Sequence, residues 1–147
     1  MMKQVELAIN KKLKSAYPEV GIEPDDIKDG IKRPSFFVGF SYNKTNKVSD
    51  EFYRKDLSVI VYYFPSNKHK YSMEVLEVGE ILEELFLGKL VIEDETEERI
   101  VPINSVDLDT IDGVLQVSFD LEVFTSKVES DENELMEELE VSITKEE

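Results

Sequence analysis

The chain offers few side chains that could act as an acid, a base or a nucleophile. His69 is the only histidine and stands between Lys68 and Lys70. A general acid or base needs an orienting partner and a substrate group within hydrogen-bond reach, and the sequence around His69 indicates neither. A serine nucleophile would have no other histidine as its base, and the absence of Cys excludes thiolate nucleophiles and thiolate metal sites. We therefore expect no enzymatic activity.

Two groups of carboxylates resemble metal sites only in part. Residues 107–113 begin like a calcium loop, but Ile111 stands where the loop requires an acid or amide, and Ser118 stands where it requires Glu. That segment is more typical of a hairpin turn at Asp112-Gly113. The second group is a set of glutamates at helical spacing: Glu74, Glu77, Glu80, Glu83 and Glu84. It lacks the Glu-x-x-His pairs of a metal site in a helix bundle, so we interpret it as a solvated helix face.

No phosphate-binding loop is present either, because the glycines are scattered singly and none forms the G-x-x-x-x-G-K pattern. We therefore expect no metal and no cofactor.

The acidity of the chain is unevenly distributed. Residues 129–147 hold nine acids and one lysine, which gives this segment a net charge of −8 and leaves −8 of the total −16 for the rest of the chain. Negative charge opposes long-range attraction to nucleic acid phosphates and to anionic lipid. We therefore expect no specific nucleic acid binding and no membrane partner, and interpret the aromatic residues between 36 and 63 as packing residues rather than a stacking platform.

The length of 147 residues and the hydrophobic content of 41% predict one folded domain. We place this domain at residues 1–127 and an acidic C-terminal extension at 128–147, for which disorder with conditional folding, a short helix and a strand remain open. The first residues lack the apolar stretch of a signal peptide, and no apolar run approaches the roughly 18 residues of a membrane span. These features predict a cytoplasmic protein.

Two amphipathic helices are predicted from apolar residues at helical spacing. The first covers about residues 4–16 and is stopped by Pro18, and the second covers about residues 70–87 and ends near Gly88. Strands are predicted at residues 20–22, 36–42, 53–64, 90–92 and 100–103, the last as a brief return to the sheet, and a β-hairpin at 106–124. Residues 43–50 are predicted to be a polar connection.

These elements predict an α+β fold with an antiparallel or mixed sheet of about five to six strands and two helices packed on one face, in the order α-β-β-(β)-α-β-β-β. The order also resembles that of the tail terminator family encoded by prophages of Gram-positive bacteria. Three stretches carry the similarity: residues 8–14 with Tyr17-Pro18 after them; residues 33–38 followed by Tyr53-Arg54 and residues 61–66; and residues 111–115 leading into a strand. The similarity extends over about residues 1–125.

The resemblance implies a structural protein whose copies form a ring. In that family the ring caps the completed tail tube, stops further polymerisation of tube subunits and offers the surface onto which the DNA-filled head docks. The implied partners are further copies of the chain, the tail tube protein and the head–tail connector protein. The implied locations are the host cytoplasm during assembly and then the virion tail. Acidity suits a channel through which DNA slides without sticking, although solubility alone explains it equally well.

The resemblance also suggests where a neighbouring copy or the tube protein binds. Loops that flank a stiff strand often carry binding function, so the candidates lie in the predicted connection at residues 43–50 and just after it. The residues singled out are Asn43, Lys44, Lys47, Tyr53 and Arg54. An ordinary connection is the alternative for any one of them. A second function class also remains open, a non-enzymatic acidic adaptor or inhibitor that binds a basic partner through the C-terminal acidic cluster.

Overall fold

The structure of the chain is a computed structural model that describes residues 1–23, 32–67, 69–94 and 97–126. These residues form two helices and seven strands: α1 (Met2–Ala16), β1 (Gly21–Glu23), β2 (Ser35–Lys47), β3 (Phe52–Phe64), α2 (Ser72–Phe86), β4 (Gly88–Glu93), β5 (Glu98–Ile103), β6 (Asp107–Ile111) and β7 (Val114–Ser126). The predicted α+β class is confirmed. The acidic extension predicted for residues 128–147 lies outside the described residues.

The chain divides into two compact units. Unit 1 comprises Met1–Asn43 and Leu57–Leu121, and unit 2 comprises Lys44–Asp56 and Glu122–Glu147, of which the structure describes residues up to Ser126. Strands β2, β3 and β7 contribute residues to both units, whereas both helices lie in unit 1.

Five of the strands form one mixed sheet in the order β1-β2-β3-β7-β6. β1 runs parallel to β2, with Gly21 opposite Ser35, and β6 runs antiparallel to β7, with Asp107 opposite Ser118. The predicted mixed or antiparallel sheet of about five strands is therefore confirmed.

The turn between β6 and β7 has the conformation that its sequence predicts. Asp112 and Gly113 both have positive φ angles, 53° and 79°, and Ile111 pairs with Val114 across them. Two consecutive left-handed residues give a two-residue turn the twist of its flanking strands, and Asp-Gly adopts that conformation readily. The hairpin prediction is confirmed.

The core of unit 1 lies between the sheet and the helices. β3 and β7 bury alternate side chains, as a strand with one face on a core must; in unit 1 these are Leu57, Val59, Val61, Tyr63, Leu115, Val117, Phe119 and Leu121. Phe86 of α2 stacks on Phe119 with ring centroids 5.0 Å apart. Phe36 packs against Tyr17 and Tyr63 at centroid distances of 5.8 and 5.1 Å. These contacts support the interpretation of the aromatic residues as packing residues.

Helix α1 packs beside α2 and against β4. Its apolar stripe is buried as predicted: Val5, Ala8, Ile9 and Leu13. The prediction that residues 100–103 return to the main sheet is wrong, because β5 pairs antiparallel with β4 in a separate two-stranded sheet, with Leu90 opposite Val101. This small sheet buries Leu90, Ile92, Val101 and Ile103. An apolar face of this kind needs a cover, and α1 contacts it at β4.

The predicted polar connection at residues 43–50 is mostly strand. β2 continues to Lys47 and β3 begins at Phe52, so only residues 48–51 form the turn. The backbone N–H groups of Val48 and Ser49 donate to the Phe52 carbonyl at 2.9 and 3.1 Å. Backbone hydrogen bonds between strands form whatever the polarity of the side chains, so a strand can extend through residues that are polar on both faces. Residues 43–47 lack the alternation of apolar and polar side chains from which a strand is predicted, and this part of the strand was therefore missed.

Glu74, in the first turn of α2, joins that helix to the end of β3. Its carboxylate accepts hydrogen bonds from the Tyr63 hydroxyl and from the Ser66 N–H and hydroxyl, the latter two at 2.9 and 2.8 Å. Burial favours the neutral acid, but these hydrogen bonds outweigh it and lower the pKa of Glu74. Burial and the hydrogen bond to Glu74 raise the pKa of Tyr63. Glu74 therefore differs from the other four glutamates of α2, which are exposed as predicted.

Lys12 joins α1 to the end of α2. Its Nζ donates to the Leu85 carbonyl at 2.7 Å and lies 5.9 Å from the centroid of the Phe86 ring. Burial lowers the pKa of Lys12, and the charge of Lys89 lowers it further. No basic residue of α2 itself lies in its last turn. Lys12 therefore satisfies a terminal carbonyl and supplies a cation near the negative end of the helix dipole.

Candidate interaction surface

The five residues predicted as an interface lie on two neighbouring strands. Asn43, Lys44 and Lys47 are in β2, and Tyr53 and Arg54 are in β3. Asn43 is the last residue of the first segment of unit 1, whereas the other four belong to unit 2. The structure thus places the candidates on strands that flank a short turn, and not in a long loop.

Strand alternation divides the four candidates of unit 2 between two faces. Asn46 Nδ2 donates to Asp56 Oδ2 at 3.0 Å, which puts the even-numbered positions of both strands on one face, among them Lys44 and Arg54. Lys55 Nζ donates to Thr45 Oγ1 at 2.9 Å, which puts the odd-numbered positions on the other face, including Lys47 and Tyr53. The candidates therefore do not form a single patch.

Arg54 is held by acidic residues of its own unit. Its guanidinium donates to Asp56 Oδ2 at 3.3 Å, and its Nε lies 3.3 Å from Asp56 Oδ1 and 3.7 Å from Glu122 Oε2. The side chains of Arg54 and Asp56 are 38% and 27% exposed. Because these contacts link β3 to β7 within unit 2, Arg54 orders the strand ends and presents little of its charge to a partner.

The two lysine candidates are more accessible. Lys47 Nζ lies 3.4 Å from Asp50 Oδ1, and the two side chains are 60% and 98% exposed. Surface pairs of this kind contribute little to stability. Lys44 is exposed and makes no hydrogen bond or ion pair to any part of the chain that the structure describes. Lys44, Lys47 and the half-buried Tyr53 are therefore the candidates best placed to meet another molecule.

Two apolar residues beside the turn were not singled out by the sequence predictions, although Val48 lies within the candidate range of residues 43–50. Val48 and Phe52 flank residues 49–51, and they are 56% and 52% exposed. The signal was a valine and a phenylalanine at the two ends of a short polar run, where neither has a core to enter. Large exposed apolar side chains close together are typical of interaction sites. We name residues 44–55 the β2–β3 tip.

The described residues show no arrangement of side chains typical of a catalytic site or a metal site. His69 is exposed and its backbone N–H donates to Asn67 Oδ1 at 2.8 Å. Residues 1–23, 32–67, 69–94 and 97–126 contain no group of three or more His, Cys, Asp or Glu residues placed to hold a metal ion. Within those same ranges neither helix is long and apolar enough to span a membrane.

Comparison with protein families gives a match over most of the chain. A family model described as a phage tail terminator protein matches residues 4–133. This range contains almost all of residues 1–125, over which the resemblance was predicted, and it includes α1 from residue 4 onwards, the whole of α2 and all seven strands. No curated protein matches the chain.

Proposed function

The chain belongs to the phage tail terminator family, and from this premise we propose that its copies assemble into a ring that caps the completed tail tube and joins it to the head. The match over residues 4–133 carries this proposal. The role is structural, so the chain works through its surfaces and not through a catalytic site. The ring assembles in the host cytoplasm and remains in the virion tail, where its partners are the tube protein and the head–tail connector.

A ring requires heterologous contacts, in which one surface of each copy binds a different surface of the next. The β2–β3 tip contributes to such a contact or to the contact with the tube protein. Its exposed Lys44 and Lys47, its half-buried Tyr53 and its apolar Val48 and Phe52 support this assignment. Asn43 adjoins these residues in β2. Arg54 contributes indirectly, by holding the strand ends together through Asp56 and Glu122.

The acidity of the chain suits a ring through which DNA passes. A net charge of −16 repels phosphates, so DNA moves past such a surface without binding to it.

Loss of the gene tests the capping function directly. The gene is inactivated in the phage genome that encodes the chain, particle production is induced, and tail lengths and head attachment are measured by electron microscopy. We expect overlong tails and heads without tails, because nothing stops tube polymerisation or offers a docking surface. Restoration of normal particles by the wild-type gene in trans is the control. Normal tails of uniform length, joined to heads in the absence of the gene, would overturn the proposal.

Substitutions in the β2–β3 tip test the interface assignment. We expect Lys44→Glu to reduce the yield of complete particles in the trans assay, because it places an acid on a surface assigned to a partner. Lys70→Glu makes the same change at another exposed lysine, outside the tip, and should leave the yield unchanged. If both variants give the wild-type yield, the assignment of the β2–β3 tip to an interface is wrong, whereas the proposed capping function still stands.

A further inference from the structure

The exposed side of α1 carries a basic stripe, which we define as Lys3, Leu7, Lys11 and Lys14. These residues follow one another at intervals of three and four, so they lie along one side of the helix. All four are exposed, and Leu7 is 56% exposed although it is a large apolar residue. Lys11 Nζ lies 3.6 Å from Glu93 Oε2 in an exposed ion pair, and Lys14 Nζ donates to the Val20 carbonyl at 3.0 Å, so a neighbouring copy would compete with or add to these contacts. Helix α1 as a whole contains four lysines and one glutamate.

The exposed side of α2 carries an acidic stripe, which we define as Met73, Leu76, Glu80, Glu84 and Leu87, the last of these being the C-cap residue. These residues also follow at intervals of three and four. The three apolar members are 69%, 63% and 50% exposed, in chain order. Helix α2 contains five glutamates and neither lysine nor arginine.

The charges of α2 are unfavourable for an isolated helix. Glu80 lies three or four residues from Glu77, Glu83 and Glu84, and like charges at these spacings repel. Glu83 and Glu84 also lie near the negative end of the helix dipole, where anions are disfavoured. A cationic surface placed over this side of the helix would relieve both effects, and three exposed apolar side chains on the same side offer area for packing.

In the described residues, no ion pair joins a lysine of the basic stripe to a glutamate of the acidic stripe within one chain. α1 and α2 of the same chain are joined through Lys12 and Leu85, which belong to neither stripe. The stripes have comparable lengths, about 16 Å for α1 and about 21 Å for α2 from the helical rise per residue. Each carries a pair of like charges one turn apart, Lys11 with Lys14 and Glu80 with Glu84. The basic stripe has one large apolar side chain beside its charges, Leu7, and the acidic stripe has three, Met73, Leu76 and Leu87.

We propose that the basic stripe of α1 in one copy docks on the acidic stripe of α2 in the next copy. The occupant of each stripe is thus a second copy of this chain, chosen by charge complementarity and by the apolar residues in both stripes. Because the two surfaces differ, the contact is heterologous and propagates from copy to copy, as a ring requires. This inference rests on the proposed ring, and it identifies which surfaces hold neighbouring copies together.

Charge reversal with rescue tests the contact. The double variants Lys3→Glu/Lys11→Glu and Glu80→Lys/Glu84→Lys each place like charges in the contact, and we expect each to lower the yield of complete particles at least about tenfold. The combined variant has the net charge of the wild type and restores opposite charges, so its yield should return towards the wild-type value. Asp107→Lys/Asp109→Lys reverses two exposed acids on β6 and should have no such effect. Circular dichroism and thermal melting establish that each variant is folded.

Cysteine cross-linking tests the same contact in the purified protein, which is favourable because the wild-type chain contains no Cys. Leu7→Cys and Leu76→Cys proteins are mixed at high concentration under oxidising conditions, in low and in high salt. We expect a disulfide-linked pair that joins one chain of each kind and that weakens as salt screens the charges. A chain with both substitutions should give a ladder of oligomers, because the contact propagates. Leu7→Cys mixed with Asp109→Cys is the control for random collision.

The outcomes separate this inference from the capping function. If loss of the gene gives overlong tails but charge reversal leaves the yield unchanged, the ring stands and the stripes are not its contact. Failure of the combined variant to recover, cross-linking no stronger than that of the control pair, or a double-cysteine chain that links only within itself would each overturn the inference. If the stripes cross-link specifically but loss of the gene leaves tails normal, the contact stands and the capping function fails.

Discussion

Units 1 and 2 use the same strand in different ways. In unit 1, β3 buries alternate side chains from Leu57 to Tyr63, whereas in unit 2 its residues Phe52 to Asp56 are exposed or half-buried. The side chains of unit 1 make a core, whereas unit 2 buries Val123 but otherwise makes mainly ion pairs and hydrogen bonds, such as those of Arg54 with Asp56 and Glu122. Since buried apolar area dominates folding stability and surface ion pairs contribute little, we expect stability to depend mainly on unit 1. Substitutions in the β2–β3 tip should therefore cost little folding stability, so the tip can vary in sequence to match its partner.

The largest expected effect is that of Phe86→Ala in unit 1. Phe86 is completely buried and stacks on Phe119, so its truncation leaves a cavity. We expect the free energy of unfolding, measured by urea denaturation, to fall by about 3–5 kcal/mol. A loss below about 1 kcal/mol would mean that α2 is not part of the stabilising core, and the contrast between the units would fail.

Glu74→Gln should have a smaller effect within unit 1. The substitution removes the charge that accepts hydrogen bonds from Tyr63 and Ser66, and we expect a loss of about 1–2 kcal/mol in the free energy of unfolding at neutral pH. Glu80→Gln is the matched control, because Glu80 is exposed on the same helix and should change this free energy by less than about 0.5 kcal/mol. Equal effects of the two substitutions would contradict a role for Glu74 in joining α2 to β3.

The effect of Glu74 should also depend on pH. Its pKa in the folded chain lies below the ordinary value of 4.5. Its stabilising contribution is therefore fully present above that value and is lost as the pH falls through the lower, folded-state pKa. We expect the difference in free energy of unfolding between the wild type and Glu74→Gln to be constant from pH 7 down to about pH 5 and to shrink below about pH 4. A difference that stayed constant across the acid range would exclude the carboxylate charge as its source.

Arg54→Gln should have a smaller effect still, because its ion pairs in unit 2 are partly exposed. We expect a loss of about 0.2–1 kcal/mol in the free energy of unfolding, which decreases as salt is added. Lys47→Gln, which breaks a more exposed pair with Asp50, should lose less than this. A loss above about 3 kcal/mol for Arg54→Gln would mean that unit 2 also contributes strongly to stability, and the expectation that stability depends mainly on unit 1 would be wrong.

The smallest expected effect on stability is that of Phe52→Ala, the counterpart of Phe86→Ala in unit 2. Phe52 is 52% exposed, and we expect its truncation to change the free energy of unfolding by less than about 1 kcal/mol. The yield of complete particles in the trans assay should nevertheless fall, because the exposed ring is assigned to a partner. A stable variant with an unchanged particle yield would show that the apolar side of the tip takes no part in assembly.

Much of the fold could be predicted because its signals are local. The stripe of Val5, Ile9 and Leu13 at helical spacing predicted α1, and the Asp112-Gly113 pair predicted the turn between β6 and β7. The helix boundaries differed from the prediction by at most two residues, since a helix end depends on which hydrogen bonds form at its last turn. The local structure around the candidate interface was predicted wrongly, because residues 43–47 belong to β2 and not to a polar connection, and the interface role of the five candidates stays a prediction.

The errors concern features that depend on residues far apart in the chain. The sequence of residues 100–103 is equally compatible with a strand of the main sheet and with a strand that pairs with β4 in a separate sheet. The observed pairing with β4, which α1 contacts, depends on the packing of the whole unit. The interface role of Arg54 stays a prediction, but nothing in the sequence indicated its contact with Glu122, which arises only when β3 and β7 become neighbours. Glu74 looked like the other glutamates of α2 until the fold brought Tyr63 and Ser66 to it.

The sequence by itself determined the helices, the Asp-Gly hairpin, the α+β class and the family. These follow from periodicity, turn chemistry and segment order, which involve neighbouring residues or their succession. Only the tertiary structure decided which charged groups are satisfied within the chain and which stay exposed. Lys12 and Lys11 are adjacent in sequence, yet Lys12 is partly buried and binds the end of α2, whereas Lys11 is 76% exposed and makes only an exposed ion pair with Glu93. The physical reason is that burial and pairing are properties of the packed chain, and a helix turns its adjacent residues about 100° apart.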